Sequence, residues 1–188
     1  MFLDPAGSTP GFHYSVLRRT YMGRENSASS FVRQKLYPVD APPGGAWEPP
    51  FTCFRYDVLL PKGGVDAFMC PERLLEAYER HLFSWRQGLL CVLKVDQPIS
   101  EPLQASYERI RDAARQSFAL KRNLPVVLVA HAPFLAGASP VNRGPHCHVI
   151  ALTAELSILG FTTTNDEITS DAGHLVLYRE FQDAGAIS

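Results

Sequence analysis

Leu124-Pro-Val-Val-Leu-Val-Ala-His131 and Pro145-His146-Cys147-His148-Val-Ile-Ala-Leu152 are the stretches that decide the fold. Each is a short apolar run rich in β-branched residues and bounded by turn residues, which predicts two strands buried on both faces. Side chains alternate across a strand, so His146 and His148 share one face, about 7 Å apart by strand rise, and Cys147 takes the other. His131 closes the first run. If the two strands pair as neighbours, its imidazole falls at the rim where the other two project, and the three histidines form a metal site. Neutral imidazole suits Zn, Mn, Ni, Co or Fe, and three protein ligands leave positions open for a substrate oxygen and water, as catalytic rather than structural sites do. Cys147 is excluded as a fourth ligand by its face and is read as a small buried hydrophobe. A lone histidine near a strand is ordinarily satisfied or solvent-facing, and His13, His81 and His174 are read that way.

Outward from these strands, the chain of 188 residues is long enough for one domain with a substantial core, read here over 1–188. A formal net charge of −1 carries no global footprint of nucleic-acid binding, so such binding must rest on a local patch. Cys53, Cys70, Cys91 and Cys147 lack C-x-x-C spacing and follow no signal peptide, which predicts reduced thiols in a cytoplasmic protein. No apolar run approaches the roughly 18–20 residues of a membrane span.

Residues 1–11, with Asp4-Pro5 and Pro10-Gly11, are expected to form a loose N-terminal arm. Phe12 to Tyr21 then reads as the first strand and Ser27 to Leu36 as a short helix. Arg18, Arg19, Arg24, Arg33 and Lys35 concentrate positive charge here. Such a cluster is ordinarily a solvated face, but it is also where a phosphate backbone could lie. Pro38 to Pro50 is a Pro/Gly-rich loop, and Phe51 to Leu60 a strand. A helix over Glu72 to Trp85 follows from apolar residues at helical spacing behind Pro71. Leu89 to Val95 is a strand, and a long amphipathic helix runs from Glu101 or Pro102 to about Arg122. Thr162 to Asp166 looks like a turn, and His174 to Tyr178 a last strand. The order predicts an α+β fold, a mostly antiparallel sheet with helices packed on one face and the other left for a site.

Strand, helix near Leu74, strand ending near Pro98, long helix, strand ending in His131, then Pro145-His146-Cys147-His148: this order resembles the relaxase domain of MobA/MobL-type plasmid mobilisation proteins. These are HUH endonucleases, named for two histidines flanking a hydrophobic residue. The resemblance spans Val58 to Leu152. It implies that His131, His146 and His148 hold a divalent cation, Mg or Mn ahead of Zn, Ni or Co, which polarises the scissile phosphate of single-stranded DNA at an origin of transfer. It also implies a tyrosine that attacks to form a 5′-phosphotyrosine, so that nicking and rejoining run as two steps, with accessory mobilisation proteins as further partners. The family's tyrosine lies on the helix after the first strand, where this chain has Phe31 or Val32. Tyr21, in Tyr-Met-Gly-Arg-Glu, is the expected nucleophile, with Tyr37 next and loss of the tyrosine at Phe31 the remaining outcome. Where family members carry glutamates on the strand leading to Pro98, this chain has Val92 and Lys94, and the nearest carboxylate is Asp96. Two other readings stay open. One is a relaxase-like DNA-binding or accessory protein without nicking activity. The other is a replication-initiator or transposase-type nuclease using Tyr178.

Overall fold

In the computed structural model of the chain, which describes residues 4–133 and 144–187, the two histidine runs pair directly. Strands β7 (Val126–His131) and β8 (His146–Leu152) are antiparallel, with His131 opposite His146 and Val129 opposite His148. The loop expected between them falls largely on 134–143, outside the described residues. Around this pair lies a six-stranded antiparallel sheet in the order β1-β2-β6-β8-β7-β5, where β1 is Asp4–Thr9, β2 Phe12–Arg18, β5 Arg55–Leu59 and β6 Gly88–Asp96. Two short hairpins stand apart from it. One pairs β3 (Thr20–Tyr21) with β4 (Arg24–Glu25), the other β9 (Ala154–Ser157) with β10 (Gly160–Thr164).

The α+β architecture with an antiparallel sheet is as expected, but helices cover both of its faces. Helices α1 (Ala28–Leu36) and α2 (Pro71–His81) pack Phe31, Val32, Leu74, Leu75 and Tyr78 against Val127, Val129, Ile150 and Leu152. On the opposite face α3 (Leu103–Ala114) and α4 (Asp171–Asp183) pack Tyr107, Ile110, Leu177 and Phe181 against Leu128, Cys147, Val149 and Phe12. Two covered faces explain why the central strands read as unbroken apolar runs rather than alternating ones. The site therefore occupies the end of a covered face, beyond the last turn of α1.

Three local readings are corrected. The N-terminal arm is an edge strand from Asp4 onward, and its Pro5 and Gly7 mark a register shift that an edge tolerates. The helix expected to reach Trp85 ends at His81, because Leu82 turns extended (φ −68, ψ 124) and leaves Phe83 and Trp85 outside. The strand expected at His174–Tyr178 is part of α4, where Gly173, Leu177 and Phe181 recur at helical spacing on the buried side.

Helix α1 begins at Ser27, whose hydroxyl accepts from Ser30 N at 3.0 Å, and ends with Arg33 and Lys35 in its last turn, where positive charge complements the helix dipole. Ser27→Ala is expected to lower stability by about 1 kcal/mol in denaturant unfolding. Because the helix leads directly to the histidines, its fraying should also weaken metal binding.

Candidate metal centre

His131, His146 and His148 all stand on the α1/α2 face, as alternation with Val129, Ile150 and Leu152 requires. One nitrogen from each lies within 4.8 Å of the others, and no other such group of His, Cys, Asp or Glu occurs among the described residues. Ring centroids are 5.0 to 5.2 Å apart, with the planes nearly perpendicular. The rings face a common point rather than stacking.

Two of the imidazoles are oriented by backbone carbonyls. His131 Nε2 donates to Lys35 O at 2.8 Å, which leaves its Nδ1 as the lone-pair nitrogen. His146 Nδ1 donates to Gly144 O at 3.0 Å, which frees its Nε2. This is the outer support that ligating histidines use to fix tautomer and ring angle. His146 and His148 are both buried, and the Nδ1 of His148 is buried without a hydrogen-bond partner. A buried polar atom left unpaired is costly unless something absent here satisfies it.

Burial sets the protonation state. It pushes the His131 pKa down to about 4, against the hydrogen bond to the Lys35 carbonyl, which acts to raise it, and with the charges of His146 and Lys35 acting to lower it. His148 lies well below its ordinary range, first through burial and then through the charge of Lys35. His146 is lowered by burial too. All three are neutral at pH 7, the form that binds metal. The residues thus fit a divalent cation. Nothing in an all-imidazole set selects one metal among several.

Cys147 points to the opposite core, beside Val149 and Ala151. On the histidine face, β6 carries Lys94 opposite His148 and Asp96 opposite His146, and Lys94 Nζ donates to Asp96 Oδ1 at 2.6 Å. The ammonium nearest the histidines on β6 is therefore neutralised by its own strand.

The structure does not bring Tyr21 to the histidines. His13 of β2 is level with Lys94 and hence with His148, while Arg18 lies about 17 Å farther along by strand rise. The Tyr21 hairpin lies beyond that, where Arg19 N donates to Gln87 O at 2.7 Å. Helix α1 then runs back along the sheet, so that its final turn, not the hairpin, meets His131. Phe31 and Val32 are buried on this helix, and Lys35 Nζ sits 5.2 Å from the Phe31 ring centre. Tyr37, just past the helix, is buried and donates its hydroxyl to Glu48 O at 2.6 Å. Burial raises its pKa. Tyr178 packs with the α3/α4 core, on the other side of the sheet from the histidines.

The expected basic patch is split. Arg18, Arg19 and Arg24 lie at the Tyr21 end, while Arg33 and Lys35 lie on α1 toward the histidines. Arg19 donates to Arg86 O and Phe83 O, and Arg33 to Ala46 O and Pro42 O. These guanidiniums hold loops as well as charge. The carbonyls of Lys35 and Gly144 were not legible in the sequence, since a carbonyl carries no residue-type signal.

No family model matches the chain, and no curated protein matches it in sequence. The architecture is shared. A solved structure described as "Molecular Basis of Vancomycin Resistance Transfer in Staphylococcus aureus" superposes with a TM-score of 0.67 at 12% identity, covering 92% of this chain and 88% of that one. At that identity the likeness carries the fold, an α+β domain, and no residue's role. Among the described residues no helix is long and apolar enough to cross a membrane, and all four cysteines are free.

Proposed function

We propose that this chain is a relaxase-type protein of plasmid mobilisation that binds single-stranded DNA through a divalent cation held by His131, His146 and His148. The observation that carries the reading is the convergence of three imidazoles, two of them oriented by backbone carbonyls, at the end of a sheet of this fold. The fold neighbour's subject, transfer of a resistance in Staphylococcus aureus, supports the setting. A cation in this site supplies positive charge and Lewis acidity to a phosphate oxygen. The chain's own residues hold the ligand nitrogens unprotonated, and Lys35 adds positive charge at the edge where a phosphate would lie.

The nucleophile is the part of the family's chemistry that this geometry supports least. Tyr21 lies at the far end of the sheet, and the helix that reaches His131 carries Phe31, a ring without a hydroxyl. A DNA-holding member that does not form a covalent adduct is the reading favoured here. Nicking and rejoining through a tyrosine is the second reading. One observation favours it: Tyr37 lies two residues after Lys35, whose carbonyl accepts from His131, although the Tyr37 hydroxyl is engaged and its pKa raised.

Incubation with single-stranded oligonucleotides and Mn or Mg separates the two. The favoured reading expects metal-dependent binding with no adduct that survives denaturant. An adduct that disappears in Tyr37→Phe, or in Tyr21→Phe, would establish nicking and overturn it.

A further inference from the structure

At the end of the sheet opposite the histidines, Phe83 and Trp85 are exposed by 62% and 68%, and their rings lie within 8° of parallel at 5.7 Å between centroids. Exposed hydrophobic residues scattered singly are ordinary. A parallel pair on one short loop is different, because the two exposed rings already stack on each other and a further planar ring can extend the stack. The loop is held in place. Arg19 Nε donates to Arg86 O at 3.0 Å and its Nη2 to Phe83 O at 3.2 Å, while Arg86 N closes a turn onto Phe83 O at 3.0 Å. Arg86 is further tied to Asp166, and His81 Nε2 pairs with Thr162 O at 2.7 Å. A cavity of about 440 Å³ opens beside the rings, between this loop and Thr162–Thr164. The rings are thus ordered before anything binds.

We infer that Phe83 and Trp85 form a stacking platform for the bases of single-stranded nucleic acid. The inference rests on the DNA-binding reading above and adds a second point of contact to it. Flat aromatic faces beside positive charge are what sequence-tolerant single-strand binding uses, since every base has a π face and every linkage a phosphate. Charge complementarity selects this occupant. Arg18, Arg19 and Arg24 gather at this end against Glu25 and Glu79, while Arg86 is buried and paired with Asp166. The separation also fits. Strand β6 runs from Gly88 beside this loop to Asp96 beside the histidines, about 26 Å by strand rise. A strand held at both ends would cover a length within the roughly 4–16 nucleotides that single-strand grooves occupy.

The test is fluorescence anisotropy of a labelled 16-nucleotide single strand against the full chain, Trp85→Ala, Trp85→Leu and Phe83→Ala. A matched oligonucleotide with abasic sites in place of its bases serves as the second probe. Each substitution is expected to weaken binding of the normal strand by about 10-fold. Binding of the abasic strand and calorimetric Mn stoichiometry should not change. Unaltered affinity in both alanine variants, or an equal loss on the abasic strand, overturns the platform while leaving the metal-site reading intact. A change of oligomeric state on substitution, seen in sedimentation, would instead assign the rings to contact with a second copy and equally overturn it. Failure of the unsubstituted chain to bind any single strand overturns both readings.

Discussion

His146→Ala is expected to lower divalent-metal affinity by at least about 100-fold in calorimetry, with the fold retained. The magnitude follows from comparison. Removing an outer-shell partner of a ligand already costs 10–100-fold, and this substitution removes the ligand itself. His146 sits at the start of β8, near the sheet's end, with its Nδ1 on the carbonyl of Gly144, so its loss opens the rim without disturbing the strand pairing at Val149 and Ile150. His131→Ala should act in the same direction, and it also releases the carbonyl of Lys35 at the end of α1. His174→Ala is the contrast. That ring stacks on Phe12 and packs tilted against Tyr14 on the opposite face, and its removal should leave metal stoichiometry unchanged. Equal metal binding in His146→Ala and the unsubstituted chain would remove the site.

The second large effect concerns the joint between α3 and α4. The Arg122 side chain is 4% exposed and donates through Nη1 and Nη2 to the two carboxylate oxygens of Glu180 at 2.8 and 2.9 Å, and through Nε to Glu167 at 3.1 Å. Arg122 Nη1 also reaches Ser117 O at 2.6 Å, within the π-helical turn Arg115–Leu120 that follows α3. Removing one partner of a buried pair leaves the other charge in a poor solvent, which costs about 3–5 kcal/mol. Glu180→Gln should fall at the low end of that range, because Glu167 still faces the guanidinium. The loss should depend on pH. Burial acts to raise the Glu180 pKa, but the hydrogen bonds from Arg122 and Lys121 outweigh it and hold the carboxyl below its usual range. A group depressed in the folded state contributes stability above its unfolded pKa and loses it as pH falls through the folded one. The difference between Glu180→Gln and the unsubstituted chain should be full at pH 7 and shrink below the ordinary glutamate range. A difference independent of pH between 7 and 3 would show that the pair contributes shape rather than charge.

The histidine centre was legible in the sequence because it rests on a rule with period two. Alternation puts His146 and His148 on one face and Cys147 on the other, and the register that sets His131 opposite His146 brings the third imidazole to the same face. What the sequence obscured were places where local composition pointed away from the structure. Leu175-Val-Leu177 is an apolar triplet that looks like a strand, and only the wider spacing of Gly173, Leu177 and Phe181 reveals a helix. The β9–β10 turn carries Ile158 and Leu159, exposed by 76% and 93%, instead of the polar residues that ordinarily signal a hairpin. Trp85 continues the apolar spacing of α2 and so looks like core, yet it lies outside the helix and is exposed. Helices on both faces could not be read at all, since a run buried on two faces does not say which elements cover it.

Tyr21 closes the first strand among basic residues, and those residues belong to the end of the sheet that carries the aromatic loop. Arg19 holds that loop through two carbonyls. The sequence correctly grouped Tyr21 with Arg18, Arg19 and Arg24, but sequence proximity to the first strand gave no information about which end of that strand the histidines would meet. Antiparallel order decides it, because β6 brings Asp96, not Gly88, to His146.

The most direct test of the account is the metal dependence of single-strand binding. Labelled single-stranded oligonucleotide is titrated with the unsubstituted chain and with His146→Ala, each with Mn and with chelator. Mn is expected to tighten binding of the unsubstituted chain by about 10-fold or more, on the order of one metal–phosphate contact worth several kcal/mol before desolvation, and to leave His146→Ala unchanged. Equal affinity in all four titrations would contradict a metal centre that holds DNA.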